Sequence, residues 1–255
     1  MTGPAVILVA ACDAEWSAVR AELGVSSVPP VGQVVEARGD LGLLRLGVGL
    51  EAARTSSAAL IEAGPRVVVH VGFAGGLRTG VTAGGVLLVT AVSSGPFVVG
   101  SSDSAPAQEP LDAELIDQLR TMLARTPERL AQGALLTVDR FVDRADEKGA
   151  LGRSTSYLAC EMEACVVKAA CDGVGARYIG VRSISDAEHE SVPPLTLRGA
   201  VRHRALGRFG RWAVRPQAAL EAWNFVQGGR RARNALGRVI PQVVAVAQAA
   251  ARDGR

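Results

Sequence analysis

Apolar residues along this chain fall into short unbroken runs separated by amphipathic stretches. Residues 4–11 (PAVILVAA) are a continuous apolar run and read as a strand buried on both faces. Asp13 then reads as the cap of a helix whose Trp16, Val19 and Leu23 share one face. Residues 41–47 (LGLLRLG) predict a second strand, and 50–63 a helix closed by Gly64-Pro65. Residues 66–71 (RVVVHV) predict a third strand that runs into a glycine turn, Gly72-Phe73-Ala74-Gly75-Gly76, and 85–93 a fourth. Residues 94–108 read mostly as loop, with room for a short strand at Phe97–Val99. A helix over 110–125 presents Leu111, Leu115, Ile116 and Leu119 on one side. Strands at 133–138 and 177–182, a helix at 161–172 and a closing helix at 238–252 complete the pattern. Alternating strands and helices predict the α/β class with a largely parallel central sheet. One domain spans 1–255, with an insertion near 190–235.

Composition narrows this picture. At 255 residues, 48% hydrophobic and 21% charged, with mean hydropathy +0.21, the chain is not a disordered one. Four cysteines without regular spacing and three histidines give neither a disulfide scaffold nor a Cys/His zinc site, and predict reduced thiols in a cytoplasm. No apolar run approaches the roughly 18 residues of a membrane helix. Val9-Ala10-Ala11-Cys12 looks like a lipoprotein cleavage site, but residues 1–4 carry no basic side chain and Ala5–Ala11 is a minimal apolar stretch, so a first strand is preferred. Net charge is +3 and unevenly placed: Arg198–Arg238 holds ten arginines against one acid, Glu221, a local +9 that leaves −6 for the rest. Lysine occurs only at 148 and 168.

Several segments carry candidate chemistry. Gly47-Val48-Gly49-Leu50-Glu51-Ala52 matches the dinucleotide pattern G-x-G-x-x-A, but the next strand ends His70-Val71-Gly72 without the acid that would bind a ribose. Gly72–Leu77 is a second glycine-rich segment after a strand, at an edge where α/β sheets bind ligands. In Cys160-Glu161-Met162-Glu163-Ala164, Glu161 and Glu163 are not expected to face the core together, and a carboxylate among apolar residues is costly unless it binds something. Arg182-Ser183-Ile184-Ser185-Asp186 places an acid at the end of a strand, as a site residue or a helix cap.

Taken in order, an acid after the first strand (Asp13, Glu15), GVG, GFAGGL, Phe141, EMEA and R-S-I-S-D resemble the nucleoside phosphorylase/nucleosidase superfamily, closest to its methylthioadenosine/S-adenosylhomocysteine nucleosidase branch. The likeness covers residues 4–190. It implies a single-domain three-layer α/β sandwich with a mixed, largely parallel sheet and a basic helical insertion. It implies that Asp186 protonates the purine N7, that Glu15 activates water, and that Glu163 holds the ribose hydroxyls. Met162 would pack under the ribose and Phe141 stack on the base, with Phe73, Gly75 and Ser185 also lining the substrate. Phosphorylases of this superfamily bind phosphate through an Arg before the glycine segment and a Ser within it; His70 and Phe73 stand there in this chain.

The expected reaction is therefore hydrolysis of a 5′-substituted adenosine, without metal or cofactor. A leaving purine needs a proton, and carboxylates can polarise water and orient the sugar. The alternatives are a phosphorylase acting on a lipid-linked adenosine, a non-catalytic nucleoside sensor, and last a dehydrogenase. Residues 190–235 read as a lid: Pro216 starts a helix with Leu220 and Trp223 on one side, broken at Gly228-Gly229, and this stretch resembles an extension in hopanoid-associated phosphorylases. Expected partners are a nucleoside, phosphate under the alternative, and a second copy in a homodimer. Nucleic acid is not expected. The arginines 202, 204, 208 and 211 suit contact with an anionic membrane.

Overall fold

Strand β1 (Val6–Ala10) is buried at every position because its alternate side chains feed two different cores. Val6, Leu8 and Ala10 join one core, and Ile7 and Val9 the other. That alternation is the signature of a sheet covered on both faces, and it explains the uninterrupted apolar run in the sequence. The computed structural model describes residues 3–193 and 218–253. The proposed membrane-facing arginines at 202, 204, 208 and 211, Phe209, Trp212, Pro216 and most of the 190–235 insertion lie outside the described residues.

The remaining elements are α1 (Asp13–Leu23), β2 (Val34–Arg38), β3 (Leu41–Arg45), α2 (Leu50–Ala63), β4 (Val67–Gly76), β5 (Val86–Ser93), β6 (Gln108–Pro110), α3 (Ala113–Leu123), β7 (Leu130–Thr137), α4 (Ala145–Ser154), β8 (Ala159–Glu161), α5 (Ala164–Gly173), β9 (Arg177–Asp186) and α6 (Ala218–Asp253). Residues of α1, α3 and α6 fill the first core, and residues of α2 and α5 the second. The sheet is mixed: β1 pairs in parallel with β3 and β4, and β4 with β9, whereas β8 and β5 run against β4 and β9. Because β5 also pairs with β7, and β7 with β8, the strands β4, β9, β5, β7 and β8 close into a ring. A ring has no free edge, so the polar backbone around the site is paired.

Three local expectations are corrected, and one element is added. Asp13 is the first helical residue of α1, and Cys12 is its cap. Residues 72–76 are not a turn; they continue β4 as strand. Gly228-Gly229 does not break a helix, because α6 runs unbroken from Ala218 to Asp253. Its apolar face at Leu236, Val239, Ile240, Val243 and Ala247 is buried and carries the helix past its glycines. Gly228 marks a close contact instead: a Cβ there would lie 2.5 Å from the carbonyl oxygen of Ser185, so α6 presses on the end of β9, whereas Gly229 faces open space. Finally, residues 145–154 form a helix, α4, that the apolar pattern does not announce. No described helix is long and apolar enough to cross a membrane.

Candidate active site

Glu15, in the first turn of α1, is buried and turned back toward the strands. Its Oε2 accepts from the backbone N–H of Ala11 (2.8 Å) and Cys12 (2.9 Å), and its Oε1 from Phe73 N–H (2.8 Å). Three main-chain donors fix the carboxylate and leave Oε1 with a further lone pair. Gly72 makes this approach feasible, since a Cβ there would sit 2.7 Å from Oε1. Gly72→Ala is accordingly expected to displace the carboxylate and lower turnover by up to about 10²-fold. Steady-state kinetics alongside thermal unfolding checks this; full activity in the Gly72→Ala variant would show that the site tolerates the displacement.

The two glutamates flanking Met162 are both buried, against the expectation that only one would be. They do different work. Glu161 accepts from the N–H groups of Glu163 (3.1 Å) and Ala164 (3.0 Å) at the start of α5, from the Thr137 hydroxyl (2.9 Å) and from Arg182 (3.1 Å). It therefore serves as the helix-terminus acid with a full set of partners. Glu163 reaches away and accepts from Gly49 N–H at 2.6 Å. The glycine turn that resembled a dinucleotide fingerprint thus spends an amide on a side chain of its own protein. Burial first, then the Glu161 charge, push the Glu163 carboxyl up to about 8, from an ordinary 4.5.

This shift sets a pH dependence. Between about 4.5 and 8 the folded state holds a proton on Glu163 that the unfolded chain releases, so stability falls as pH rises through that window. Unfolding midpoints from pH 5 to 9 are expected to decline for the wild type relative to Glu163→Gln. Parallel curves for the two proteins would contradict the assignment.

Asp186 closes β9 and is 3% exposed. Its Oδ1 accepts from the Ser185 hydroxyl at 2.5 Å, and its Oδ2 from the Lys148 ammonium at 2.6 Å. Gly75 of β4 is paired with Asp186 on one side and with Cys160 of β8 on the other. A Cβ on Gly75 would come within 3.2 Å of Oδ2. So the glycine-rich half of β4 gives room to two carboxylates, Glu15 beside Gly72 and Asp186 beside Gly75. Those glycines are three residues apart, roughly 10 Å of strand. The Cys160 thiol is pushed up to about 12, by burial first and then by Asp186, and is no nucleophile.

Met162 lies beside the turn: its Cε would be 3.6 Å from a Cβ on Gly49. Phe73 is partly buried against the first core, and its backbone N–H, not its ring, makes the contact with Glu15. Phe141 follows β7 and is 37% exposed. His70 and Arg182 form a buried pair beneath the site. Arg182 donates to the His70 carbonyl (2.6 Å) and to Glu161, and its NH2 lies 3.0 Å from Nδ1 of His70, as does the Tyr178 hydroxyl. Burial and the Arg182 charge hold His70 well below its ordinary value, so the ring is neutral. Sequence reasoning missed Lys148, Tyr178 and the partnership of His70 with Arg182.

Against known proteins, the chain is 28% identical over 158 residues to the 5′-methylthioadenosine/S-adenosylhomocysteine nucleosidase of an Exiguobacterium strain, covering 58% of this chain and 68% of that one. Its fold resembles that of the 5′-methylthioadenosine/S-adenosylhomocysteine nucleosidase from Neisseria meningitidis in complex with methylthio-immucillin-A, with TM-score 0.66 at 19% identity, over 94% of this chain and 97% of that one. Futalosine hydrolase of Helicobacter pylori resembles it with TM-score 0.69 at 16% identity, over 94% and 97%. The family profile described as the phosphorylase superfamily matches residues 31–214. That span runs from before β2 to past β9 and takes in Glu163 and Asp186, and by it this chain belongs to the phosphorylase superfamily.

Proposed function

We propose that this chain hydrolyses the N-glycosidic bond of a 5′-substituted adenosine and releases adenine. The observation that carries this reading is the pair of buried carboxylates, Glu15 and Asp186, held by one strand at Gly72 and Gly75. The nucleosidase names of the relatives support the same reaction.

The bond from the sugar C1′ to the base N9 breaks with its electron pair leaving on the purine, and Asp186 delivers a proton to N7. The sugar passes through an oxocarbenium-like state. Glu163, turned toward the Gly49 amide, orients the ribose hydroxyls by hydrogen bonding. A water bonded to the open lone pair of Glu15 Oε1 adds to C1′ and gives its proton to that carboxylate.

Water is favoured over phosphate by two contacts. His70 is committed to Arg182 and Tyr178, and the Phe73 amide to Glu15. Neither position offers a cationic donor to an anion. The test is product analysis over a panel of 5′-substituted adenosines, with and without inorganic phosphate. Adenine and free ribose products in the absence of phosphate are expected. Ribose 1-phosphates formed only with phosphate would make the protein a phosphorylase, and adenine binding without turnover a sensor.

A further inference from the structure

Lys148 takes no part in the steps above, yet it is wholly buried. Its ammonium bridges two acceptors at the end of β9: Oδ2 of Asp186 at 2.6 Å and the carbonyl oxygen of Ala187 at 2.7 Å. Lysine is almost never fully buried, and a buried ion pair is weak evidence for stability, because desolvation offsets the attraction. The chain is also strongly biased toward arginine, with only two lysines among 28 basic residues, and one of the two is here. A guanidinium is a wide planar fork, whereas an ammonium is a compact donor on a slim stem. The site has taken the compact one.

The helix carrying it is built to deliver it. In α4, Gly152 stands four residues after Lys148 and so on the same face. A Cβ on Gly152 would fall 1.8 Å from the carbonyl oxygen of Leu77, just past the end of β4. Only a glycine lets α4 lie this close, and the close approach drives Lys148 inward until its Cδ is 3.8 Å from a Cβ position on Gly75. The other oxygen of the carboxyl is treated differently. Ser185 Oγ lies 2.5 Å from Oδ1 and 3.3 Å from the Ala74 carbonyl, and its single hydrogen serves one of them at a time.

We propose that Lys148 is a positioning residue for the general acid: its ammonium clamps Oδ2 of Asp186 to the Ala187 carbonyl, so that Oδ1 is the oxygen presented to the leaving base. Ser185 completes the device. It donates to Oδ1 when that oxygen is bare, and turns to Ala74 when Oδ1 carries the proton to be delivered. The inference rests on the reading of Asp186 as the group that protonates N7.

The experiment is a double-mutant cycle of Lys148→Met and Asp186→Asn, assayed on two substrates. One is an adenine nucleoside, whose base needs protonation to leave. The other is a p-nitrophenyl riboside, whose phenolate departs without it. Lys148→Met is expected to lower the purine-to-aryl rate ratio about 10- to 10²-fold, part of the 10²–10⁴-fold that general-acid catalysis supplies. The ratio is independent of how much of the protein is folded. In the Asp186→Asn background the same change is expected to lower purine turnover no further, since coupled residues are not additive. An unchanged ratio, or equal losses of purine turnover in both backgrounds, would overturn the clamp while leaving Asp186 in its role. Full purine turnover by Asp186→Asn is a separate outcome, and overturns the general-acid reading together with the clamp.

Discussion

Asp186→Asn is expected to lose about 10²- to 10⁴-fold in adenine release, the share that a positioned proton donor supplies. The carboxamide keeps the shape of the side chain and one acceptor, but has no proton to give to N7. The substitution has a second consequence that comes from its partner. Lys148 is fully buried and its ammonium would face a neutral group. Breaking a buried ion pair from one side costs about 3–5 kcal/mol of stability, far more than the pair contributes when intact. The single variant should therefore be both slow and less stable. Adding Lys148→Met should recover stability but not turnover. Denaturant unfolding and an adenine-release assay, run on both proteins, separate the two effects. Stable, fully active Asp186→Asn would remove this residue from the reaction.

Glu15→Gln is the other change with a large expected effect. Both oxygens of Glu15 are acceptors for main-chain N–H groups, from Ala11 and Cys12 on one and Phe73 on the other. A carboxamide has one acceptor and one donor. In either orientation its NH2 meets at least one of these N–H groups, which leaves a buried donor unsatisfied at a cost of about 1–3 kcal/mol. The water-activating carboxylate is lost at the same time, so hydrolysis should fall by about 10²–10⁴-fold. Binding of an uncleavable 5′-substituted adenosine analogue should survive better than turnover, since the proposed ribose contact is assigned to Glu163. Calorimetric titration with such an analogue, beside the kinetics, checks this. Normal hydrolysis by Glu15→Gln would place the nucleophile's activator elsewhere.

The parts of the site that are legible in the sequence are those where chemistry and local pattern agree. Glu15 stands just after the buried strand β1, which its apolar run locates well; Asp186 is the last residue of β9, whose predicted strand stops at 182 because the polar R-S-I-S-D stretch hides its final four residues. Glu163 is separable from Glu161 only by resemblance, since both are acids at a helix start; the structure separates them by their partners. The glycines of β4 mislead in an instructive way. Gly72, Gly75 and Gly76 have poor strand propensity and read as a turn, yet the strand continues through them because its neighbours β8 and β9 hydrogen-bond it on both sides. They are glycine for space, beside Glu15, Asp186 and the Val81 carbonyl. Lys148 is invisible for the opposite reason. It lies in ADEKGALGRS, a polar stretch with charged neighbours, where a lysine reads as solvated. Its burial follows from the contact of Gly152 with Leu77, which no local pattern encodes.

The ring of strands has a consequence for how the chain reaches this state. Its last strand, β9, pairs with β4 across about a hundred residues, as Val67 with Arg177 and Val71 with Val181. Such long-range closure is entropically slow. Until it occurs, β4 and β5 each lack a neighbour; β4 is rich in valine and β5 in valine and leucine, and neither has an acidic, lysine or arginine residue. A nascent chain that has emitted these strands but not β9 displays two sticky edges of the kind that seed aggregates. Ribosome-bound chains ending before Arg177 should therefore depend on chaperone capture. The residue that completes the ring, Asp186, is also the last of the three carboxylates to be made, so a chain competent for chemistry and a chain safe from aggregation arise in the same folding event.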